Sequence, residues 1–303
     1  MSAQATVMEE AMYLANAEMR CPLVIEKLQN FIISEEAVKK GAIKDAGTYY
    51  LGETSRFMPD YIICETETST VFDALKKMDL GDTAFSYLDE LLTTSAQNGF
   101  CPNIILHDYN LDYLKKGIDA IFPIVEAKEK DIVVKGTALF HDENMVGKLN
   151  SDDTKYLLML LSSGGNTDYV LNIPLSNEKE KTFATLHINR SDNKIETNPQ
   201  EEHLLIDSQM KIYGYFDEME WNRIRNDFSL DEITMSVEQY ISEHTVTVAR
   251  ILSTVNCDPM AIEERLRGFH HKYYETHDFD EVYHNAEFNV TVTAHITNEG
   301  KPK

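Results

Sequence analysis

Basic residues are scarce in this sequence. There are 28 lysines and arginines against 51 aspartates and glutamates over 303 residues, a formal net charge of −23. Such a chain repels phosphate backbones and has no clustered Lys/Arg stripe, so nucleic-acid binding is excluded. The same charge speaks against a polybasic helix lying on a membrane surface. Long apolar runs are missing too: nothing reaches the 18 or so residues that a membrane-spanning helix needs. The opening MSAQATVMEEAMYLANAEMR has no basic start and no continuous apolar core. It reads as an amphipathic helix, not a signal peptide.

Cysteine is sparse and dispersed. Cys21, Cys64, Cys101 and Cys257 form no C-x-x-C pair, so neither a zinc site nor a redox motif is indicated, and free thiols are expected. Also lacking are a G-x-S-x-G elbow, a P-loop, a G-x-G-x-x-G turn and an H-E-x-x-H helix. The lone tryptophan, Trp221 in EMEWNRIRNDF, reads as an anchor on a helix face.

What is present is ample material for cores. Hydrophobic residues make up 43% of the chain, and its length suits two or three domains. Up to residue 127 helical and strand patterns alternate, including an apolar run at 27–34, a Ser34-capped helix closed by Gly41, a strand at 60–66, helices at 68–78 and 83–99, and a short helix at 108–119. The charged run EAKEKD (126–131) reads as a joint. Beyond it, IVVKGTALFHD and NMVGKLN are two strands across a turn at 142–144, followed by a helix that Ser151 caps, with Asp152 and Asp153 where the helix dipole favours anions. SSGGN (162–166) reads as a helix end and loop. TDYVLNIPL, TFATLHINR, NKIETN and LLIDSQMKIYGYFDE read as strands, then come long helices at 234–256 and 258–274, the second with Asp258 as N-cap and Pro259 at N1. AEFNVTVTAHIT alternates with period two, a strand exposed on one face.

Candidate chemistry is thin. His270 and His271 are neighbours on a helix pattern, about 100° apart, and cannot chelate together. His277 and His284, with Asp278, Asp280 and Glu281 between them, could be gathered by a loop around a metal, which leaves a metal-dependent hydrolase as one alternative. The other reading of that segment is a solvated acidic loop. In the 133–161 unit Phe140, Val146 and Leu149 read as the buried side of a small sheet, covered by Tyr156, Leu157 and Leu160. Every residue there has a packing role, so the unit reads as scaffold.

The segment KGTALFHDENMVGKLNSDDTKYLLML resembles the middle part of the C subunit of bacterial spore germinant receptors, the Ger(x)C family. Its G-T-A-x-F strand corresponds to Gly136, Thr137, Ala138 and Phe140, and its x-V-G-x-L strand to Val146, Gly147 and Leu149. LQNFIISEEAVKKGA, NCDPMAIEERLRGFHHKYY with Cys257, Asp258 and Pro259, and AEFNVTVTAHITNEG resemble further family segments in the right order. The resemblance implies an α+β fold of three small mixed α/β domains, with mostly antiparallel or mixed sheets flanked by helices, divided here at 1–128, 129–181 and 182–303. It also implies a non-enzymatic interaction subunit without cofactor, partnered by two integral-membrane subunits at the outer face of the spore inner membrane. Family members begin with a lipoprotein signal and a lipidated cysteine. Cys21, preceded by Arg20, does not fit that motif, so the expectation is a chain trimmed at its start, whose link to the membrane is an anchor that only the full-length parent carries. An extracytoplasmic small-molecule-binding module is the remaining alternative.

Overall fold

A computed structural model describes residues 5, 8–21, 30–43, 60–78, 84–103, 117–176, 181–201 and 203–297. The first elements are α1 (Met8–Ala17), β1 (Asn30–Ser34), α2 (Glu35–Val38), β2 (Asp60–Cys64), α3 (Thr68–Lys77) and α4 (Ala84–Gln97). Then follow β3 (Ile121–Lys128), β4 (Asp131–His141), β5 (Asn144–Asn150), α5 (Ser151–Leu160), β6 (Ser163–Ser176), β7 (Lys181–Pro199) and β8 (Leu204–Tyr215). The last are α6 (Glu218–Ile224), α7 (Leu230–Thr254), α8 (Ile262–Phe269), α9 (His271–Thr276), α10 (Phe279–His284) and β9 (Glu287–Thr297). The helix read at 108–119 lies almost wholly outside the described residues.

Two sheets organise the chain. The first has the order β1-β2-β3-β4-β5, parallel up to β3 and antiparallel from there. Its apolar runs NFIIS and DYIIC are those of strands covered on both faces. Ile33, Ile63, Phe122, Ile124 and Phe140 fill one side, while Ile62, Cys64, Val125 and Ile132 meet α3 and α4 on the other. Lys148 closes the first side, reaching from β5 to Glu65 at 2.6 Å and Glu35 at 3.4 Å. The charged run 126–131 forms the end of β3, the turn at 129–130 and the start of β4, two strands that pair as neighbours in this sheet.

The second sheet has the order β6-β7-β8-β9, antiparallel except for the parallel pair β8–β9. A parallel return needs a crossover, and α6 to α10 provide it. The inner face of this sheet packs on α5, α7 and α8 in the largest core, through Ile173, Leu186, Ile206 and Ile212 against Ile241, Val248 and Leu252. A capping box between Ser229 and Glu232 starts α7 at Leu230, one turn before the periodicity suggests.

Several local readings need correcting. SSGGN is not a loop: β6 begins at Ser163. TFATLHINR and NKIETN are one 19-residue strand, because the turn-forming Ser191, Asp192 and Asn193 are held by partners on both sides. Asn150 rather than Ser151 caps α5, accepting from the amides of Asp152 and Asp153 at 2.9 Å each. Asn and Ser are nearly equivalent caps, and Asn150 has the extended backbone the role requires. Asp258 and Pro259 do not open a helix. The chain turns through Ala261 at φ 57° and the helix starts at Ile262, then breaks at His270 into α8 and α9.

Gly136 sets the geometry of the first sheet. It stands at φ 136°, outside the range of ordinary side chains, and a Cβ there would lie 2.1 Å from the Leu149 carbonyl oxygen. The register shifts beside it, leaving Lys135 as an extra residue in β4, a bulge that aims the strand at the β5–α5 junction. Gly147 differs: a Cβ there would meet Leu139 and Val255 at 3.6 Å, ordinary contact. Gly136→Ala should therefore lower unfolding free energy by about 3 kcal/mol or more, strain and backbone displacement adding together. Gly147→Ala should stay within about 1 kcal/mol. Urea denaturation of both variants checks the contrast; equal losses would refute it.

Candidate functional site

The unit from Gly136 to Leu160 joins the two sheets. Thr137, fully buried, places its hydroxyl 2.9 Å from that of Thr154 on α5, and Thr154 donates onward to the Asn150 carbonyl at 2.8 Å. Ala138, fully buried, belongs to the core on the other side of the sheet. Phe140 meets Phe122 edge to face, with ring centroids 5.3 Å apart. Leu139 and Leu149 point the other way, into the large core, where Tyr156, Leu157, Met159 and Leu160 of α5 are buried. Tyr156 and Tyr240 hold the His244 ring between them, with centroids 5.1 and 4.0 Å away. Val146 does not join the buried side of the sheet. The register shift between Leu139 and Phe140 makes it the extra residue of β5 and turns it outward.

A second constellation lies where the end of β4 meets the helical layer. The His141 ring is 3.3 Å from Asp119 through Nδ1 and 3.4 Å from Asp280 through Nε2. Asp119 also accepts from the amides of Asp142 at 3.0 Å and Asp258 at 2.8 Å, and its own amide donates to the Asp258 carbonyl at 2.9 Å. One carboxylate thus ties the β4–β5 turn to the segment that opens α8. Asp142 is at φ 51° and Asn256 at φ 53°, left-handed positions that short polar side chains tolerate best. Tyr283 is fully buried and donates to the Cys257 carbonyl at 3.0 Å.

Asp258 is the costly member. Its Oδ2 accepts from the Glu263 amide at 2.9 Å, so it caps α8 from a distance, while Oδ1 is buried without a hydrogen-bond partner. Burial, with the charges of Asp119 and Glu263 behind it, pushes this carboxyl from 3.8 up to about 7, against the amides of Glu263 and Ile262 that favour the charged form. His141 is pushed the same way for the opposite reason. Its hydrogen bond to Asp119, with the nearby charges of Asp119, Asp280 and Asp142, outweighs burial and lifts it from 6.5 to about 9. Sequence reading did not find Asp119 or His141, which are 22 residues apart and belong to no periodic pattern.

The other candidates are scattered. His277 stacks on Tyr273 at 4.1 Å, with Nδ1 3.0 Å from that residue's carbonyl. Asp278 caps α10 through the Glu281 amide, Asp280 faces His141, and His284 ends α10 in solvent. Among the described residues no three His, Cys, Asp or Glu side chains are placed to hold a metal ion. His271 faces Glu275 at 3.2 Å, while His270 is the hinge of the helix break. All four cysteines are free, with Cys21 exposed and the others buried. Trp221 packs half-buried on the large core. Pro259 lies half-buried in the turn before α8.

Both shifted groups bind their proton more tightly in the folded state, so the stability each contributes is fully present below its free value and is lost as pH rises. For Asp258 the loss runs from about pH 4 to 7, and for His141 from about 6.5 to 9. Thermal midpoints across pH 4–9 should therefore decline. Asp258→Asn should flatten the lower part of the profile and His141→Gln the upper part. A wild-type profile that rises across this range would contradict the arrangement.

The family model "Spore germination B3/GerAC like, C-terminal" matches residues 135–300, and "Spore germination protein N-terminal domain" matches residues 1–127. Spore germination protein GerQC of Bacillus cereus is 22% identical over 218 residues, 71% of this chain and 59% of that protein, so the match spans less than two thirds of that relative. The crystal structure of the GerBC protein superposes with a TM-score of 0.65 at 15% identity, covering 93% of this chain and 83% of that one, a likeness of fold. No described helix is long and apolar enough to cross a membrane. With more than half its length in the C-terminal match and nearly all the rest in the N-terminal one, this chain belongs to the GerAC-like spore germination family, the Ger(x)C family of germinant-receptor C subunits.

Proposed function

We propose that the protein works by contact with other proteins, as a non-enzymatic C subunit of a spore nutrient-germinant receptor. Its partners on this reading are the two integral-membrane subunits of the same receptor, and its place is the outer face of the spore inner membrane, held there by a lipid anchor. The observation that carries the reading is the family match together with the work of the motif residues. Gly136, Thr137, Ala138, Phe140 and Leu149 are engaged in strand geometry, a buried hydroxyl pair and core packing. Val146, Gly147, Asp258 and Pro259 shape a bulge, a strand contact and the turn into α8. On this reading these nine positions are architectural, and the surface does the recognising.

The reading excludes a dedicated ligand pocket. Thermal-shift screening against amino acids and sugars should leave the melting point unmoved, because a specific ligand at 100 times its Kd would add about 2.7 kcal/mol. Co-purification from detergent with the two membrane subunits should recover a complex. A purified chain that ignores both subunits yet responds to one amino acid or sugar would instead be a small-molecule-binding module.

A further inference from the structure

The two faces of the second sheet are treated differently. The inner face is buried under α5, α7 and α8, whereas the outward side chains stay partly or fully in solvent among the described residues. Along that outer face the composition divides. In one half, register pairs His187 with Tyr215, Arg190 with Tyr213, and Tyr213 with His295, across three strands. The rings stack as cross-strand neighbours: His187 on Tyr215 at 5.1 Å and 13°, Tyr213 on His295 at 4.9 Å and 21°. Arg190 lies 5.4 Å from the Tyr213 ring centroid and makes no ion pair among the described residues. Phe183, opposite Pro174, extends this half and is 64% exposed.

In the other half, Asp192 faces Lys211, Glu196 faces Asp207, and Glu287 stands on β9 opposite Leu205. Acidic residues are 51 of 303 in the chain, yet the register-paired outward positions of the first half carry none. Asp168, in the irregular start of β6, borders it, and Glu220 of α6, ion-paired with Arg223, accepts from the Thr185 amide at 2.8 Å along its edge. Exposed Phe, Tyr and Arg without Asp or Glu make up the composition of protein-binding centres. Stacked side by side across strands, these rings and Arg190 gather hydroxyl, imidazole and guanidinium donors, with Phe183 four residues further along β7 from His187. Such a patch, isolated on an acidic molecule, suits a partner that presents carboxylates, since opposite patches fix register and approach.

The geometry points to this aromatic half of the outer sheet face, running from Phe183 through His187 to Arg190 and Tyr213, as the docking surface for a protein partner that presents carboxylates and an apolar side chain. It rests on the reading of the chain as an interaction subunit and gives that interaction a place. The test uses the full chain and the two membrane subunits in detergent. Phe183→Asp with Arg190→Glu should weaken co-purification at least tenfold with an unchanged melting point. Lys194→Glu with Lys211→Glu, a charge change at least as large on the other half, should leave it intact. Wild-type retention should fall as salt is raised. If both double variants bind as wild type does, the surface is wrong while the interaction reading stands. If the wild-type chain itself binds neither subunit, the interaction reading fails and this surface with it. Phosphatidylglycerol vesicles form a parallel arm: loss of vesicle binding in the Phe183/Arg190 variant, with subunit binding unaffected, would assign the patch to lipid and overturn the proposal.

Discussion

The structure depends on one close approach, that of the Gly136 backbone to the carbonyl of Leu149. Nothing larger than hydrogen fits between them. Because β4 can come so near the end of β5, the helix that begins at Ser151 starts directly over the strand, and Thr137 meets Thr154 across the gap. A buried hydroxyl without a partner costs about 1–3 kcal/mol, so this pairing fixes the orientation of α5 as well as its position. Oriented in this way, α5 places Tyr156, Leu157, Met159 and Leu160 in the core of the second sheet while its first turn stays on the first. One glycine thereby sets how two sheets share a helix.

The Asp119 cluster is a second fastening, built from charge where the first is built from packing. It joins the β4–β5 turn to α8 and α10, elements far apart in the chain. Three carboxylates, those of Asp119, Asp142 and Asp280, act on one imidazole, and a fourth, that of Asp258, lies near Asp119. That arrangement holds because two of the five groups keep protons that their free counterparts would release. The hidden Oδ1 of Asp258 is unfavourable in isolation. Its retention is intelligible if Oδ2 is needed to start α8, whose backbone enters by a left-handed residue, Ala261, and has no ordinary N-cap side chain.

Much of this was legible in the sequence, and the exceptions have physical causes. Period-two alternation marked β8 and β9 because one face of each is buried and the other wet. The G-T-A-x-F strand, the helix after it and the family resemblance rested on local patterns, and local patterns survive folding. Asn150 and Ser151 are adjacent and cap equally well in principle, so only the backbone angles could decide between them. Ser191, Asp192 and Asn193 favour turns on their own, yet two neighbouring strands hold them extended. The β5 bulge at Val146 reverses the expected facing of an apolar residue, because one inserted residue flips alternation. Asp119 and His141 left no trace, and Asp258 and Asp280 stood out only for other roles, since ion pairs between elements distant in the chain have neither period nor spacing.

The second sheet adds a constraint on how such a molecule can touch another. Sheets usually recruit partners through open edges. Here one edge is occupied: Glu238 of α7 accepts from the Ala294 amide at 2.9 Å, and Ser242 donates to the Val290 carbonyl at 2.7 Å, so the helix satisfies backbone groups of β9. The opposite edge strand, β6, contains Pro174, which lacks an amide donor and makes a poor template for another strand. Midway along it, Lys155 donates to the Val170 carbonyl at 3.3 Å. With the inner face buried and both edges blunted, recognition by this sheet is left to outward side chains. Side-chain recognition depends on composition, and the composition of that face changes along the strands from aromatic rings beside Arg190 to charges of both signs, Asp192, Lys194, Glu196, Asp207 and Lys211.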